Sequence, residues 1–224
     1  MIKACIFDLD GTLADTVESL AYSVNYTLQT LGLKTLPVNN FKFYAGDGAR
    51  MLVRRSLMDA GDQACAYFDQ AWKIYTGFFK DHCTYKVKPF DGMKEALEQM
   101  KLRNIKIAVL SNKPHGQTVD VVTELFGTGF FDIIAGQREG IPKKPDPAAA
   151  WMLAEDFGLL PRECMYVGDT NVDMQTGNRS GMYTVGVLWG FRDRKELEEN
   201  HAHRIIGHPL ELVGLLDEKT EDIS

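Results

Sequence analysis

The sequence predicts an α/β protein built on a doubly wound, mainly parallel sheet, with a smaller all-helical domain inserted into it. Short apolar runs rich in β-branched residues alternate with amphipathic helical patterns, which is typical of parallel βαβ units. Polar clusters follow several of these runs, as expected at the carboxyl ends of strands in an open sheet. About ninety residues separate the first run from the second, far more than one crossover helix needs.

Five apolar runs have the length of buried strands and are bounded by glycine, proline or polar residues. They cover residues 4–7, 105–110, 131–135, 164–167 and 183–187. Between them, apolar residues recur at helical spacing, and we predict helices there. These helices cover residues 90–100, 118–126 and 147–157, the last opening on a proline.

The long segment after the first run is predicted to be helical. Leu20, Val24 and Leu28 lie on one face of its first helical pattern, and further helical patterns follow. We therefore predict an α/β core domain of residues 1–15 and 85–224, and a helical domain of residues 16–84, called the insert below. The polar residues 217–224 are expected to fray.

Composition narrows the classes of function. The 224 residues include 31 acidic and 25 basic side chains, and this charge of −6 argues against a general nucleic-acid binder. The four cysteines form no C-x-x-C pair, as expected for reduced thiols in the cytoplasm. Asp8 ends the first apolar stretch too early for a signal peptide, and no stretch reaches the roughly 18 apolar residues of a membrane span. We expect a soluble cytoplasmic protein that binds neither nucleic acid nor membrane.

Four polar clusters follow four of the predicted strands. They are D-L-D-G-T at 8–12, S-N-K at 111–113, K-K-P-D-P at 143–147 and G-D-T-N-V-D at 168–173. Because the carboxyl ends of parallel strands meet at one edge of a sheet, we expect these side chains to surround one crevice.

The acidic residues of this crevice predict a hard divalent cation. Asp8, Asp10 and Asp169, with Asp173 close by, would share a partly buried space in which like charges require a cation or raise one another's pKa. Lys144 alone cannot neutralise them. An oxygen-only ligand set favours Mg²⁺, which often binds phosphate oxygens as well.

Two other cation or phosphate motifs do not fit. An EF-hand loop starting at Asp8 needs glycine at its sixth and glutamate at its twelfth position, whereas Gly11 is fourth and Ser19 is twelfth. The sequence also lacks the G-x-x-x-x-G-K-[ST] motif of P-loop NTPases.

Together the four motifs resemble those of the haloacid dehalogenase (HAD) superfamily. D-x-D-G-T, S-N-K, K-P-D-P and G-D-T-x-x-D occur in the expected order, which implies a Rossmann-like core, and the insert resembles a C1-type cap. Within the superfamily the chain is similar to phosphoglycolate phosphatases and their close relatives. The A-G-D-G run at 45–48 resembles their cap loop, and V-L-W-G-F at 187–191 resembles the stretch after their last core strand.

This resemblance implies roles for the acidic residues. Asp8 would be the nucleophile that forms an aspartyl-phosphate, and Asp10 would be the general acid and base. Mg²⁺ would be held by the Asp8 carboxylate, the Asp10 main-chain carbonyl and Asp169. Asp173 would lie outside this ligand set, as a partner of Lys144 or of a metal-bound water.

The resemblance also implies phosphate-binding residues. Ser111, Asn112, Thr12 and Lys144 would contact the phosphoryl group, and Lys144 would offset charge on the nucleophile. In the insert, Arg50 could meet a substrate carboxylate on closure, although a solvated helix face is the simpler interpretation.

Three neighbouring residues are expected to play no chemical part. Lys113 and Lys143 are predicted to be surface charges, and His115 is predicted to lie in the first turn of the next helix.

We therefore expect a Mg²⁺-dependent phosphatase for a small phosphorylated metabolite, with phosphoglycolate favoured by resemblance alone. The aspartate at position 10 disfavours dehalogenation in this superfamily. A pyrophosphatase or a sugar phosphomutase remains an alternative within the superfamily, and a non-catalytic binding protein is the alternative of another class. The protein is expected to be a monomer or a homodimer.

Overall fold

Strands and helices alternate along the chain after the insert, in a computed structural model that describes residues 1–217. The predicted frayed end lies outside these described residues from residue 218 onward. The strands are β1 (Ala4–Phe7), β2 (Ala14–Asp15), β3 (Lys88–Pro89), β4 (Lys106–Pro114), β5 (Ile133–Gln137), β6 (Cys164–Gly168), β7 (Tyr183–Val187) and β8 (Arg204–Ile206). The α-helices are α1 (Val17–Thr30), α2 (Phe41–Tyr44), α3 (Ala49–Asp59), α4 (Phe68–His82), α5 (Met93–Leu102), α6 (His115–Phe126), α7 (Ala148–Asp156), α8 (Asn171–Ser180), α9 (Arg194–Glu199) and α10 (Glu211–Leu215).

Six strands form one parallel sheet in the order β5-β4-β1-β6-β7-β8. The central strand β1 pairs with β4 on one side and β6 on the other, so that Phe7 lies opposite both Val109 and Val167. All five predicted strands are present, and the doubly wound fold class is confirmed. The edge strand β8 was not predicted, because three residues with one buried side chain leave too short a pattern.

The two faces of the sheet bury separate apolar clusters. Cys5 and Phe7 of β1 point into the larger cluster, which includes residues of α5, α6 and the insert. Ala4 and Ile6 point to the other face, against α7 residues such as Leu153. This alternation follows from the two-residue period of a strand, and covering both faces explains why the core strands are apolar throughout.

The insert is helical, as predicted, and a small ribbon joins it to the sheet domain. Its helices α1 to α4 bury the predicted face of α1. Strands β2 and β3 pair antiparallel on either side of the insert, Ala14 opposite Pro89 and Asp15 opposite Lys88. Two-residue strands carry no periodic signal, so the sequence could not predict this ribbon. The division of the chain at residues 15/16 and 84/85 stays a prediction.

Candidate active site

The four polar clusters meet at the carboxyl edge of the sheet, as expected. Asp8 directly follows β1 and Asp169 directly follows β6, its neighbour in the sheet. Carboxylate oxygens of Asp8, Asp169 and Asp173 all lie within 4.8 Å of one another, and the three residues are buried. Residues separated by more than 150 positions are thus brought into one crevice by parallel pairing.

A buried lysine joins two of these carboxylates. The Nζ atom of Lys144 lies 2.8 Å from Oδ1 of Asp8 and 2.7 Å from Oδ1 of Asp173. The other oxygen of Asp173 accepts hydrogen bonds from the backbone N–H and the hydroxyl of Thr170, at the start of α8. Burial lowers the pKa of Lys144, but Asp173 and Asp8 outweigh it and hold the pKa well above its usual value. Asp173 is therefore the predicted partner of Lys144, and Lys144 carries its charge at neutral pH.

Asp169 is held in place by a tight cradle. Its Oδ1 accepts a hydrogen bond from the Thr12 hydroxyl at 2.9 Å, and its Oδ2 accepts one from the Phe191 backbone N–H at 2.7 Å. A Cβ atom added to Gly11 or Gly190 would lie 2.3 Å from an atom of Asp169, so both positions require glycine. The Thr12 hydroxyl is thus directed to Asp169, and the contact of Thr12 with phosphate stays a prediction.

Lys113 is not the surface charge that the sequence predicts. Its side chain is only 2% exposed, and its Nζ atom lies 2.7 Å from Oδ1 of Asp10. The same oxygen accepts a hydrogen bond from the Thr16 hydroxyl at 2.6 Å, and the ring of Phe79 lies 5.1 Å from the ammonium group. The prediction fails because β4 continues to Pro114, four residues beyond the apolar run, and carries Lys113 beneath α4. Lys143 is exposed and His115 begins α6, as predicted.

The charges of the crevice fit a hard divalent cation. Four carboxylates and two ammonium groups lie together, which leaves two negative charges when all are ionised. Burial raises the pKa of Asp8 to about 7 against the pull of Lys144, and burial together with Asp173 and Asp8 raises the pKa of Asp169. The side-chain atoms of this cluster that could bind a cation are all oxygen atoms, which is the donor set that Mg²⁺ prefers. The predicted donors Asp8, Asp10 and Asp169 suit such an ion, and the position of Asp173 makes it a further candidate.

Asn112 connects three segments around the cavity. Its side-chain N–H group donates to the carbonyls of Lys144 and Gly46, both at 3.1 Å, and its Oδ1 accepts from the Lys144 backbone N–H at 3.0 Å. Ser111 lines the cavity beside it. Because Gly46 belongs to the insert, these bonds link the insert to the core next to Asp8.

Arg50 does not reach the cavity, which corrects its predicted contact with substrate. Its guanidinium lies over the rings of Phe68 and Trp72, 4.9 and 5.1 Å from their centroids. It is exposed and is not among the described residues that line the cavity. Stacking on two aromatic rings of α4 holds the arginine on the outside of the insert.

A different arginine, which the sequence did not reveal, contacts the insert from the core. The guanidinium of Arg192 donates to the carbonyls of Lys42 and Ala45, the second at 3.0 Å, and pairs with Glu196 at 3.3 Å. These carbonyls lie at the end of α2, where backbone acceptors are left unpaired. The sequence gives no motif for this contact, because the partners of Arg192 are backbone atoms 147 and 150 positions away.

With the insert in this position, the crevice becomes a small, partly open cavity. It has a volume of about 40 Å³, enough for a few water molecules. Asp8, Asp10 and Lys113 line its core side. The insert contributes small or apolar side chains and one phenol, from Leu20, Ala45, Gly46, Gly48, Ala49, Leu52, Tyr75 and Phe79.

Comparison with known proteins identifies the family of this chain. A family model described as haloacid dehalogenase-like hydrolase matches residues 5–187. The chain is similar to the phosphoglycolate phosphatase of Aquifex aeolicus (strain VF5), with 30% identity over 216 residues, 96% of this chain and 97% of that protein. It is also 30% identical, over 99% of its length and 94% of the relative, to the phosphoglycolate phosphatase of Neisseria meningitidis serogroup A. A crystal structure from Lactobacillus delbrueckii subsp. bulgaricus superimposes with a TM-score of 0.89 at 29% identity, covering 96% of this chain and 98% of that one. The chain therefore belongs to the haloacid dehalogenase-like hydrolase family.

Proposed function

We propose that this protein is a Mg²⁺-dependent phosphatase that hydrolyses a small organic phosphomonoester through an aspartyl-phosphate on Asp8. One observation carries the proposal: Asp8 lies at the end of the central strand, 2.8 Å from the Lys144 ammonium and within 4.8 Å of two further carboxylates. A carboxylate held beside a fixed positive charge and a cation site is suited to attack a phosphoryl group, whose own negative charge must be offset.

The reaction is assigned to two carboxylates with separate roles. An oxygen of Asp8 attacks phosphorus, the bond from phosphorus to the ester oxygen breaks, and Asp10 donates a proton to the departing alkoxide. Asp10 then takes a proton from water, which attacks phosphorus and releases phosphate and the free Asp8 carboxylate. Lys144 stays charged and stabilises the transferred group. When bound by Asp8, Asp169 and the Asp10 carbonyl, Mg²⁺ supplies positive charge that offsets the phosphoryl oxygens.

Ser111 and Asn112 are assigned to orient the phosphoryl group. Both lie on β4 beside Asp8 and line the cavity. The bonds of Asn112 to the Lys144 backbone fix the loop that carries the lysine.

Phosphoglycolate is the proposed substrate. The names of the relatives from Aquifex aeolicus and Neisseria meningitidis support it. A cavity of about 40 Å³ also favours a leaving group of a few atoms over a hexose or a nucleoside while the insert is closed.

The mechanism is tested by hydrolysis of p-nitrophenyl phosphate and of phosphoglycolate with Mg²⁺, before and after Asp8→Asn. Turnover should fall by several orders of magnitude in the variant, because asparagine is not a nucleophile here. A chelator should abolish turnover of the unchanged protein, and added Mg²⁺ should restore it. Equal activity of the two proteins, or activity that resists chelation, would refute the proposal.

Cellular setting and assembly complete the proposal. Of the helices in the described part of the chain, none is both long and apolar enough to cross a bilayer. We assign the protein to the cytoplasm, as a monomer or homodimer that acts on a small metabolite. Light scattering after gel filtration measures the assembly, and a larger oligomer would contradict this assignment.

A further inference from the structure

Two buried hydrogen-bond donors that line the cavity, one from the insert and one from the core, have unused capacity. The hydroxyl of Tyr75 is buried and has no hydrogen-bond partner among the described residues, although the side chain is only 1% exposed. The ammonium group of Lys113 has three N–H donors, and Asp10 is the one acceptor for it within residues 1–217. Both residues line the same cavity.

Apolar side chains form the wall next to these donors. Phe79 packs against the Lys113 ammonium at 5.1 Å, and Leu20 and Leu52 form the adjoining wall. Buried donors without acceptors are unfavourable, and native proteins retain few of them unless they serve a ligand. A cation and a phenol that line one cavity, next to the apolar wall of Leu20 and Leu52, form a site for an anionic acceptor.

The position of this site relative to the reaction defines the ligand. Lys113 lies 2.7 Å from Asp10, and Asp10 is the proposed proton donor to the ester oxygen. A group that binds Lys113 is therefore attached to the alcohol part of the substrate, a few bonds from that oxygen. A short linker between the two fits the small volume of the cavity.

We infer that Lys113 and Tyr75 form a specificity site for a carboxylate on the leaving alcohol, so that the enzyme prefers phosphate esters of short hydroxy acids over neutral esters of the same size. This inference rests on the proposed phosphatase function. It assigns selectivity to two residues outside the set that carries out phosphoryl transfer.

A simpler role for Lys113 would be to position Asp10. That role affects every substrate equally, because Asp10 protonates any leaving alkoxide. A carboxylate site instead affects only substrates that carry the carboxylate. The ratio of kcat/KM for a substrate with the carboxylate to kcat/KM for one without it therefore distinguishes the two roles, whereas the activity on one substrate does not.

The experiment compares kcat/KM for 2-phosphoglycolate and for 2-hydroxyethyl phosphate, which has a neutral CH₂OH group in place of the carboxylate. The unchanged protein should prefer phosphoglycolate by about tenfold or more, the effect of one charged hydrogen bond. Lys113→Met should lower this preference about tenfold, and Tyr75→Phe about threefold. Tyr67→Phe, which removes an exposed hydroxyl at the start of α4, should leave the ratio unchanged.

Each outcome has a distinct meaning. If the unchanged protein hydrolyses neither ester, the proposed function fails. If it hydrolyses both equally well, the carboxylate site is refuted while the phosphatase function stands. If it prefers phosphoglycolate but Tyr75→Phe and Lys113→Met keep that ratio, the assignment to these residues is wrong. Should Lys113→Met fail to fold, the unchanged protein and Tyr75→Phe decide the question.

Discussion

Without magnesium, the folded protein should be more stable in mild acid than at slightly alkaline pH. Burial raises the pKa of Asp8 to about 7 from an ordinary value of 3.8, although Lys144 opposes the shift. The pKa of Asp169 is raised as well, by burial and by the charges of Asp173 and Asp8. Between pH 4 and 7 the folded state therefore binds a proton that the unfolded state has released. Its free energy of unfolding falls as pH rises through this window.

The size of this change in the free energy of unfolding follows from the pKa shift of Asp8. A difference of about three pH units corresponds to about 4 kcal/mol as an upper limit. For a chain of this length, that free energy equals a change of about 10 °C in Tm over the whole window. The range from pH 5.5 to 7.5 covers about half of it, which is about 2 kcal/mol or about 5 °C. Lys144 does not contribute to the change, because its raised pKa keeps it protonated throughout.

Thermal unfolding by circular dichroism, from pH 5.5 to 7.5, measures the effect. In a chelator, Tm should fall as pH rises, and Mg²⁺ should raise Tm most at pH 7.5, because the ion offsets the ionised carboxylates. His115 and His203 act in the opposite direction, since burial lowers the pKa of each. Asp8→Asn serves as the matched control, because its amide is neutral at every pH and leaves the histidines unchanged.

Two results would refute this reasoning. One is a metal-free Asp8→Asn protein that is no more stable than the unchanged protein at pH 7.5. The other is an identical slope of Tm against pH in the two proteins. Either would mean that the burial of Asp8 carries no cost that magnesium relieves.

Three further predictions concern the support of the site. Arg192→Met removes bonds from the core to two insert carbonyls and should raise KM for phosphoglycolate about tenfold; an unchanged KM would mean that closure does not depend on them. Gly190→Ala places a methyl group against Asp169 and should raise the Mg²⁺ concentration for half-maximal activity about tenfold or more, as a magnesium titration of the rate would reveal. Asp173→Ala removes one carboxylate from Lys144 and should lower kcat about 10- to 100-fold in steady-state assays, whereas full activity would show that Asp8 alone holds the lysine.

Matched controls exist for two of these variants. Gly214→Ala adds a methyl group in α10 that meets no atom within 4 Å, and it should leave the magnesium dependence unchanged. Arg194→Met removes an exposed arginine paired only with Glu198 among the described residues, and KM should not change.

The core strands and the crevice were predictable because the apolar runs in the sequence match the buried strands, and the polar residues that end these runs lie at the edge of the sheet. Strand β1 is buried on both faces, so its residues read as one apolar run, and Asp8 ends that run at the sheet edge. Parallel topology then brings strand-end residues together, whatever their separation in the sequence. The same reasoning located Lys144 and its partner Asp173.

Other contacts were not predictable because they depend on residues far along the chain. Lys113 is buried between Asp10 and Phe79, and neither of these lies near it in sequence. Its own neighbours, asparagine and proline, are typical of a loop. Arg192 similarly finds its partners in backbone carbonyls, which every sequence offers.

The ribbon of β2 and β3 has a mechanical consequence for catalysis. Asp8 is anchored to the sheet through its backbone bond to Val167, whereas the turn that holds Asp10 is bonded to Ala14 of the ribbon, and Thr16 at the start of α1 binds its carboxylate. The position of the proposed acid thus depends on the insert as well as on Lys113 of β4, whereas that of the nucleophile depends on the sheet. We therefore expect a displacement of the insert to disturb the proposed proton donor more than the nucleophile.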